Sequence, residues 1–148
     1  MIIDANSYWF DERIFHDETL CEQFLAEVPR AYDTEGYLTM NSAGKRQIVI
    51  EMPAGSPGLN YIEGDYTLEK RLADMDEAGV DKAILKLPGC HEWMSLGMCR
   101  RFNDGMAADA KASNGRLIPL VAVPPFGTKA NLEELDRRLD DGFAGVQL

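Results

Sequence analysis

The chain has 148 residues, 45% of them apolar and 27% charged, and a formal net charge of −10. That composition suits a globular protein with enough length for one core. The acidic surplus argues against nucleic acid as a partner, since phosphate contacts need clustered Lys and Arg, and against docking on anionic membranes.

Its three cysteines, Cys21, Cys90 and Cys99, are an odd number without CxxC spacing. They fit a reducing compartment better than a disulfide framework. No basic-then-apolar leader precedes the first strand and no run approaches ~18 apolar residues, so the expectation is a cytoplasmic protein, neither exported nor membrane-spanning.

Residues 1–6 read as a buried strand that opens the chain. Residues 11–66 are far too long for an ordinary strand-to-helix loop and predict a functional insertion, a lid over the mouth of the fold. Within it, residues 18–28 have helical periodicity. Residues 36–40 and 47–52 flank the turn-like Asn41-Ser42-Ala43-Gly44 and predict a hairpin. Gly55-Ser56-Pro57-Gly58 marks a loop, followed by an aromatic and acidic stretch over 60–66.

Beyond the insertion, helices and strands alternate. Thr67 is placed to cap a helix over 68–78, with Leu68, Leu72 and Met75 on one face and Gly79 as the stop. Residues 80–87 form a short apolar strand closed by Pro88-Gly89. A second helix spans about 95–113, with Met98, Phe102 and Met106 at helical spacing. Residues 117–123 are a third strand, ended by Pro124-Pro125. A third helix covers about 131–141, with Leu132, Leu135 and Leu139 inward, and residues 143–148 begin a fourth strand.

Apolar strands separated by amphipathic helices indicate a parallel sheet of βαβ units, an α/β fold. Four strands and three helices amount to half of a (β/α)8 barrel, whose usual length is ~250 residues. Half a barrel alone exposes two strand edges, so completion by the rest of the protein or by another chain is expected.

The order of these elements and several stretches resemble the amidohydrolase-2 family of metal-dependent hydrolases and decarboxylases, typified by aminocarboxymuconate-semialdehyde decarboxylase. The matching stretches are Met1-Ile2-Ile3-Asp4, residues 72–87 (LADMDEAGVDKAILKL) with Pro88-Gly89, and Phe102-Asn103-Asp104. Gly115-Arg116-Leu117, Ala122-Val123-Pro124 and residues 142–148 (GFAGVQL) complete the match. The resemblance implies a TIM-like (β/α)8 barrel with a divalent metal (zinc, manganese or iron) at the carboxyl end of its strands. It implies a small organic acid as substrate, cleaved by hydrolysis or non-oxidative decarboxylation.

In that family the ligands come from His-x-His after the first strand, His residues after strands five and six, and an Asp after strand eight. Here the first pair is Asn6 and Tyr8. Residues i and i+2 of a strand face the same way, ~6.6 Å apart, so two side chains there can converge on one ion. Asn6 offers a neutral amide oxygen, a poor zinc ligand, and Tyr8 a phenol that the metal itself would have to ionise. Three readings follow. The pair ligates a metal; or Asn6 caps the strand and Tyr8 is a pocket wall; or Tyr8 donates a hydrogen bond to substrate as general acid or oxyanion stabiliser. The loss of both His also suggests a non-catalytic scaffold or regulatory subunit.

Other candidates lie where strands end. Lys86, a charge inside an apolar strand, either faces the mouth to bind a carboxylate or snorkels from the helix-facing side. Cys90 and His91 follow in the next loop, with His91 a candidate substrate contact. Trp9 and Phe10 are placed to wall the pocket, and Asp4 to anchor the strand end. Gln147 stands near the end of the fourth strand, where binuclear relatives carry a bridging Lys or Glu, and can hydrogen-bond substrate instead. His16 reads as a surface or capping histidine. Asp74, Asp76, Glu77, Glu133, Glu134, Asp140 and Asp141 read as solvated helix faces. The insertion's hairpin and aromatics offer a surface for homo-oligomerisation.

Overall fold

The computed structural model describes residues 1–56 and 58–147, Tyr32 by its backbone alone. Pro57, in the predicted loop, and Leu148, at the end of the predicted fourth strand, lie outside the described residues. In chain order the elements begin with β1 (Ile3–Tyr8), α1 (Glu18–Glu27), β2 (Glu35–Met40), β3 (Arg46–Glu51) and β4 (Leu59–Ile62). They continue with α2 (Leu68–Ala78), β5 (Lys82–Lys86), α3 (Leu96–Ala112), β6 (Leu117–Ala122), α4 (Lys129–Asp140) and β7 (Gly145–Gln147). The chain divides into two compact units, one of Met1–Asp11 with Leu68–Leu148 and one of Glu12–Thr67.

The first unit is α/β. Its four strands are parallel, in the order β1-β5-β6-β7, and a helix lies between β5 and β6 and between β6 and β7. Ala83 pairs with Leu117 and Leu85 with Pro119, so these four residues share one face, and all are buried. Onto this sheet α3 brings the buried Met98, Cys99, Phe102 and Met106, at the helical spacing the sequence predicts. Ser95 caps α3 by accepting a hydrogen bond from the Met98 N–H at 3.2 Å.

Strand β1 corrects the expectation of a buried opening strand. It starts two residues later than predicted, and Ile2 and Ile3 are 59% and 43% exposed. The reason is topological: among the described residues β1 pairs with β5 alone and forms the sheet edge.

Helix α4 corrects the sequence more sharply. Leu132 and Leu139, expected inward, are 51% and 43% exposed, while Asn131, Glu134 and Arg138 are buried. Glu134, expected on a solvated face, accepts hydrogen bonds from Arg100, Asn103, Arg137 and Arg138. Arg138 also pairs with Asp104 and Asp141 and lies over the Phe143 ring. A fully paired buried ion cluster holds this face, so apolar periodicity selects the wrong one.

The second unit carries an antiparallel three-stranded sheet, β2-β3-β4, and helix α1. The predicted hairpin is there: Asn41 closes its turn, with its side-chain oxygen accepting from the N–H groups of Ala43 and Lys45 at 3.0 Å each. Strand β4 was not foreseen, because four residues between Gly58 and Glu63-Gly64 are too few to show a period. Gly58 lies so close to β3 that a Cβ there would sit 1.8 Å from the Ile50 carbonyl oxygen. Among the described residues no helix is long and apolar enough to cross a membrane.

Candidate functional site

Parallel sheets place chemistry beyond the carboxyl ends of their strands, where loops bring side chains from different strands together. Tyr8, Lys86 and Gln147 are the last residues of β1, β5 and β7, and His91 lies in a 3-10 turn, Cys90–Glu92, just after β5. Two contacts link these four residues in pairs.

The first pair is Tyr8 and Lys86. The two are register partners, and the Lys86 ammonium nitrogen lies 5.1 Å from the centroid of the Tyr8 ring. Lys86 alternates with the buried Leu85, so it projects from the face opposite the Ala83 and Leu85 side chains. Tyr8 is 48% exposed. Its backbone is fixed on both sides: Arg71 of α2 donates to the Tyr8 carbonyl and to the Ser7 hydroxyl, and the Trp9 N–H donates to the Lys86 carbonyl at 2.8 Å.

The second pair is Gln147 and His91. The Gln147 amide oxygen accepts from the Leu87 N–H at 2.7 Å, and its nitrogen donates to the Leu87 carbonyl at 2.8 Å. The same nitrogen lies 3.1 Å from His91 Nδ1. Burial pushes the His91 pKa down, Glu92 opposes this, and Lys86 adds to it. Glu92, which raises the His91 pKa, and Lys86, which lowers it less strongly, are thus charges of opposite sign acting on one imidazole.

Asn103 uses the same device one strand along. Its amide accepts from the Ala122 N–H at 3.0 Å and donates to the Ala122 carbonyl at 2.9 Å, at the end of β6. The sequence marks Asn103 only as part of the tripeptide Phe102-Asn103-Asp104 and gives it no role. Arg71 was also missed, since a cation in the first turns of a helix carries no signal that it reaches back to the preceding strand.

Trp9 is not brought into this group. It is buried, meets Phe102 of α3 edge-to-face at 6.1 Å, and donates from Nε1 to Asp109 at 2.7 Å. Burial raises the Asp109 pKa, the Trp9 bond lowers it, and Asp11 raises it further. Phe10 likewise meets Phe102, at 5.6 Å. Cys90 is fully buried. His16, in the other unit, has an exposed side chain 3.4 Å from Glu63.

Asn6 is exposed, and its N–H donates to the Asp4 carboxylate at 2.9 Å. The β1–β5 register shifts between Asp4 and Ser7, which interrupts the strict alternation that would set Asn6 and Tyr8 side by side. Among the described residues no three His, Cys, Asp or Glu side chains are grouped to hold a metal ion. An ammonium over the Tyr8 ring and a His91 Nδ1 committed to Gln147 are poor company for a second cation, so these side chains do not by themselves make a divalent-metal site.

No protein-family model matches the chain, and no curated protein matches it in sequence.

Proposed function

We propose that the carboxyl end of the parallel sheet is the substrate-binding end of an amidohydrolase-like (β/α)8 barrel and that it takes a small organic acid. The observation that carries this reading is the Lys86 ammonium over the Tyr8 ring at the ends of two paired strands, with His91 in the turn that follows one of them. An ammonium and an imidazole N–H are two donors suited to one carboxylate. Tyr8 then donates to the substrate carbonyl as the general acid or oxyanion stabiliser.

The strand order supports the barrel. Successive strands add in one direction through helical connections, and right-handed crossovers then put every helix on one face, as in the opening half of a (β/α)8 barrel. The reading requires further strands against the β1 and β7 edges, from the rest of the polypeptide or from a second copy in a homo-oligomer. A divalent metal belongs to it only through ligands other than Asn6 and Tyr8, and the reaction, hydrolysis or non-oxidative decarboxylation, is the one the family resemblance implies. A non-catalytic scaffold is the second reading, favoured by Asn6 and Tyr8 in place of the His pair.

The test is a titration with acetate, benzoate and phthalate, followed by NMR shifts at His91 and by calorimetry. Binding is expected, weakened about tenfold in Lys86→Met, the loss of one charge-assisted hydrogen bond in a partly solvated site. Absence of binding, or equal affinity in the variant, overturns the carboxylate site. Metal content of the wild-type protein separates the two readings: stoichiometric metal supports the enzyme, its absence supports the scaffold.

A further inference from the structure

We infer that Gln147 is a positioning residue: it holds His91 as the neutral Nε2–H tautomer and so decides what the imidazole offers a ligand. The tautomer is a property of these side chains alone; only its use rests on the proposed carboxylate site.

The argument starts from Leu87. Its N–H and C=O both face the Gln147 amide, at 2.7 and 2.8 Å. Turning the amide over would set N–H against N–H and oxygen against oxygen, so its orientation is fixed. One amide hydrogen goes to the Leu87 carbonyl, and the other is left for His91 Nδ1, 3.1 Å away. A ring nitrogen that accepts a hydrogen bond carries no proton, so the neutral ring is protonated at Nε2. An imidazolium would turn an N–H toward that amide N–H. Gln147 therefore opposes charging of the ring, in the same direction as burial and Lys86 and against Glu92.

The topology shows why the contact is possible. Gln147 sits on β7 and Leu87 follows β5, so the side chain passes over the end of β6. Its register partner there is Ala122, whose side chain is a single methyl. Held this way, the ring offers Nε2–H as a donor. It suits an anionic oxygen and cannot serve as a base or as a metal ligand without losing that proton.

The test needs one imidazole. The chain has two histidines, and His16→Gln, at an exposed position, leaves only His91. Long-range 1H–15N spectra of this protein are expected to show the pure Nε2–H form, with a through-bond coupling from the Gln147 side-chain nitrogen to Nδ1. A solvent-like mixture of tautomers, or Nδ1–H, overturns the inference, and this spectrum leaves the site itself unaltered. Adding Gln147→Glu keeps an acceptor for the Leu87 N–H but can only accept from the ring. The proton should move to Nδ1 and the His91 pKa should rise by about one unit or more. Retention of Nε2–H in Gln147→Glu, with the Leu87 N–H still protected from exchange by the Glu side chain, likewise overturns it. A pure Nε2–H ring in a protein that binds no carboxylate would sink the function proposed above and leave this inference standing.

Discussion

Replacing Glu134 by Ala tests the buried ion cluster on α4. Its carboxylate is fully buried and is paired with Arg138, itself only 3% exposed. Removing one partner of such a pair costs about 3–5 kcal/mol, because the other charge stays in the protein interior. The bonds to Arg100 and Arg137 add little, since those side chains are 46% and 48% exposed and water screens them. Arg138 keeps the exposed carboxylates of Asp104 and Asp141, which offsets part of the loss. We expect a net cost of about 3 kcal/mol in urea unfolding, or a Tm lower by roughly 10 °C for a chain of this size. The pair Glu134→Leu with Arg138→Met should recover most of it. Burial raises the Glu134 pKa, but the bonds from Arg138, Arg137 and Asn103 outweigh it and hold the carboxyl below its usual 4.5. Its stabilisation is thus complete above about pH 4.5 and fades as pH falls through the lower folded value, an acid limb that Glu134→Ala should flatten. A cost under about 1 kcal/mol, or a double variant that is simply additive, would refute a buried, coupled pair.

Trp9→Phe should keep the edge contact with Phe102 but strip Asp109 of its donor, at about 1–3 kcal/mol by thermal unfolding. Burial already holds the Asp109 pKa above its usual 3.8, so stability falls as pH rises through that range. Asp109→Asn, which still accepts from Trp9, should remove that fall and raise Tm at pH 7; a lower Tm there contradicts the assignment. Gly58→Ala should loosen the β3–β4 pairing by more than about 2 kcal/mol, since its Cβ would overlap the Ile50 carbonyl; an unchanged Tm would show that the strands are not so close.

The βαβ alternation was legible because β5 and β6 are short, mostly apolar runs and the helices have local stop signals, such as Gly79 after α2 and Gly142 after α4. Helix α4 was legible as an element but not in its facing. Its leucines are at helical spacing, and nothing local says that Glu134 meets Arg100 and Asn103, more than thirty residues away. Its start was missed too: Thr128 caps it by accepting from Asn131, ahead of any apolar periodicity. At the site, Lys86 could be picked out as a charge in an apolar strand, and His91 and Gln147 by their places after strands. Their pairing across 56 residues depends on the strand order and on Ala122 between them, which no local pattern encodes. Trp9 shows the limit of strand-end reasoning: alternation alone sent its neighbour Tyr8 to one side of the sheet and Trp9 to α3.

Strand termini usually fray, because the last N–H groups lack a neighbour and exchange readily with solvent. In this chain two side-chain amides act as short surrogate strands: Gln147 for Leu87, one residue past β5, and Asn103 for Ala122, the last of β6. Both backbone amides are thereby protected in fully buried residues. Their hydrogens should exchange as slowly as those in the middle of the sheet, so the rigid part of the scaffold reaches up to the level of His91 and does not stop short of it.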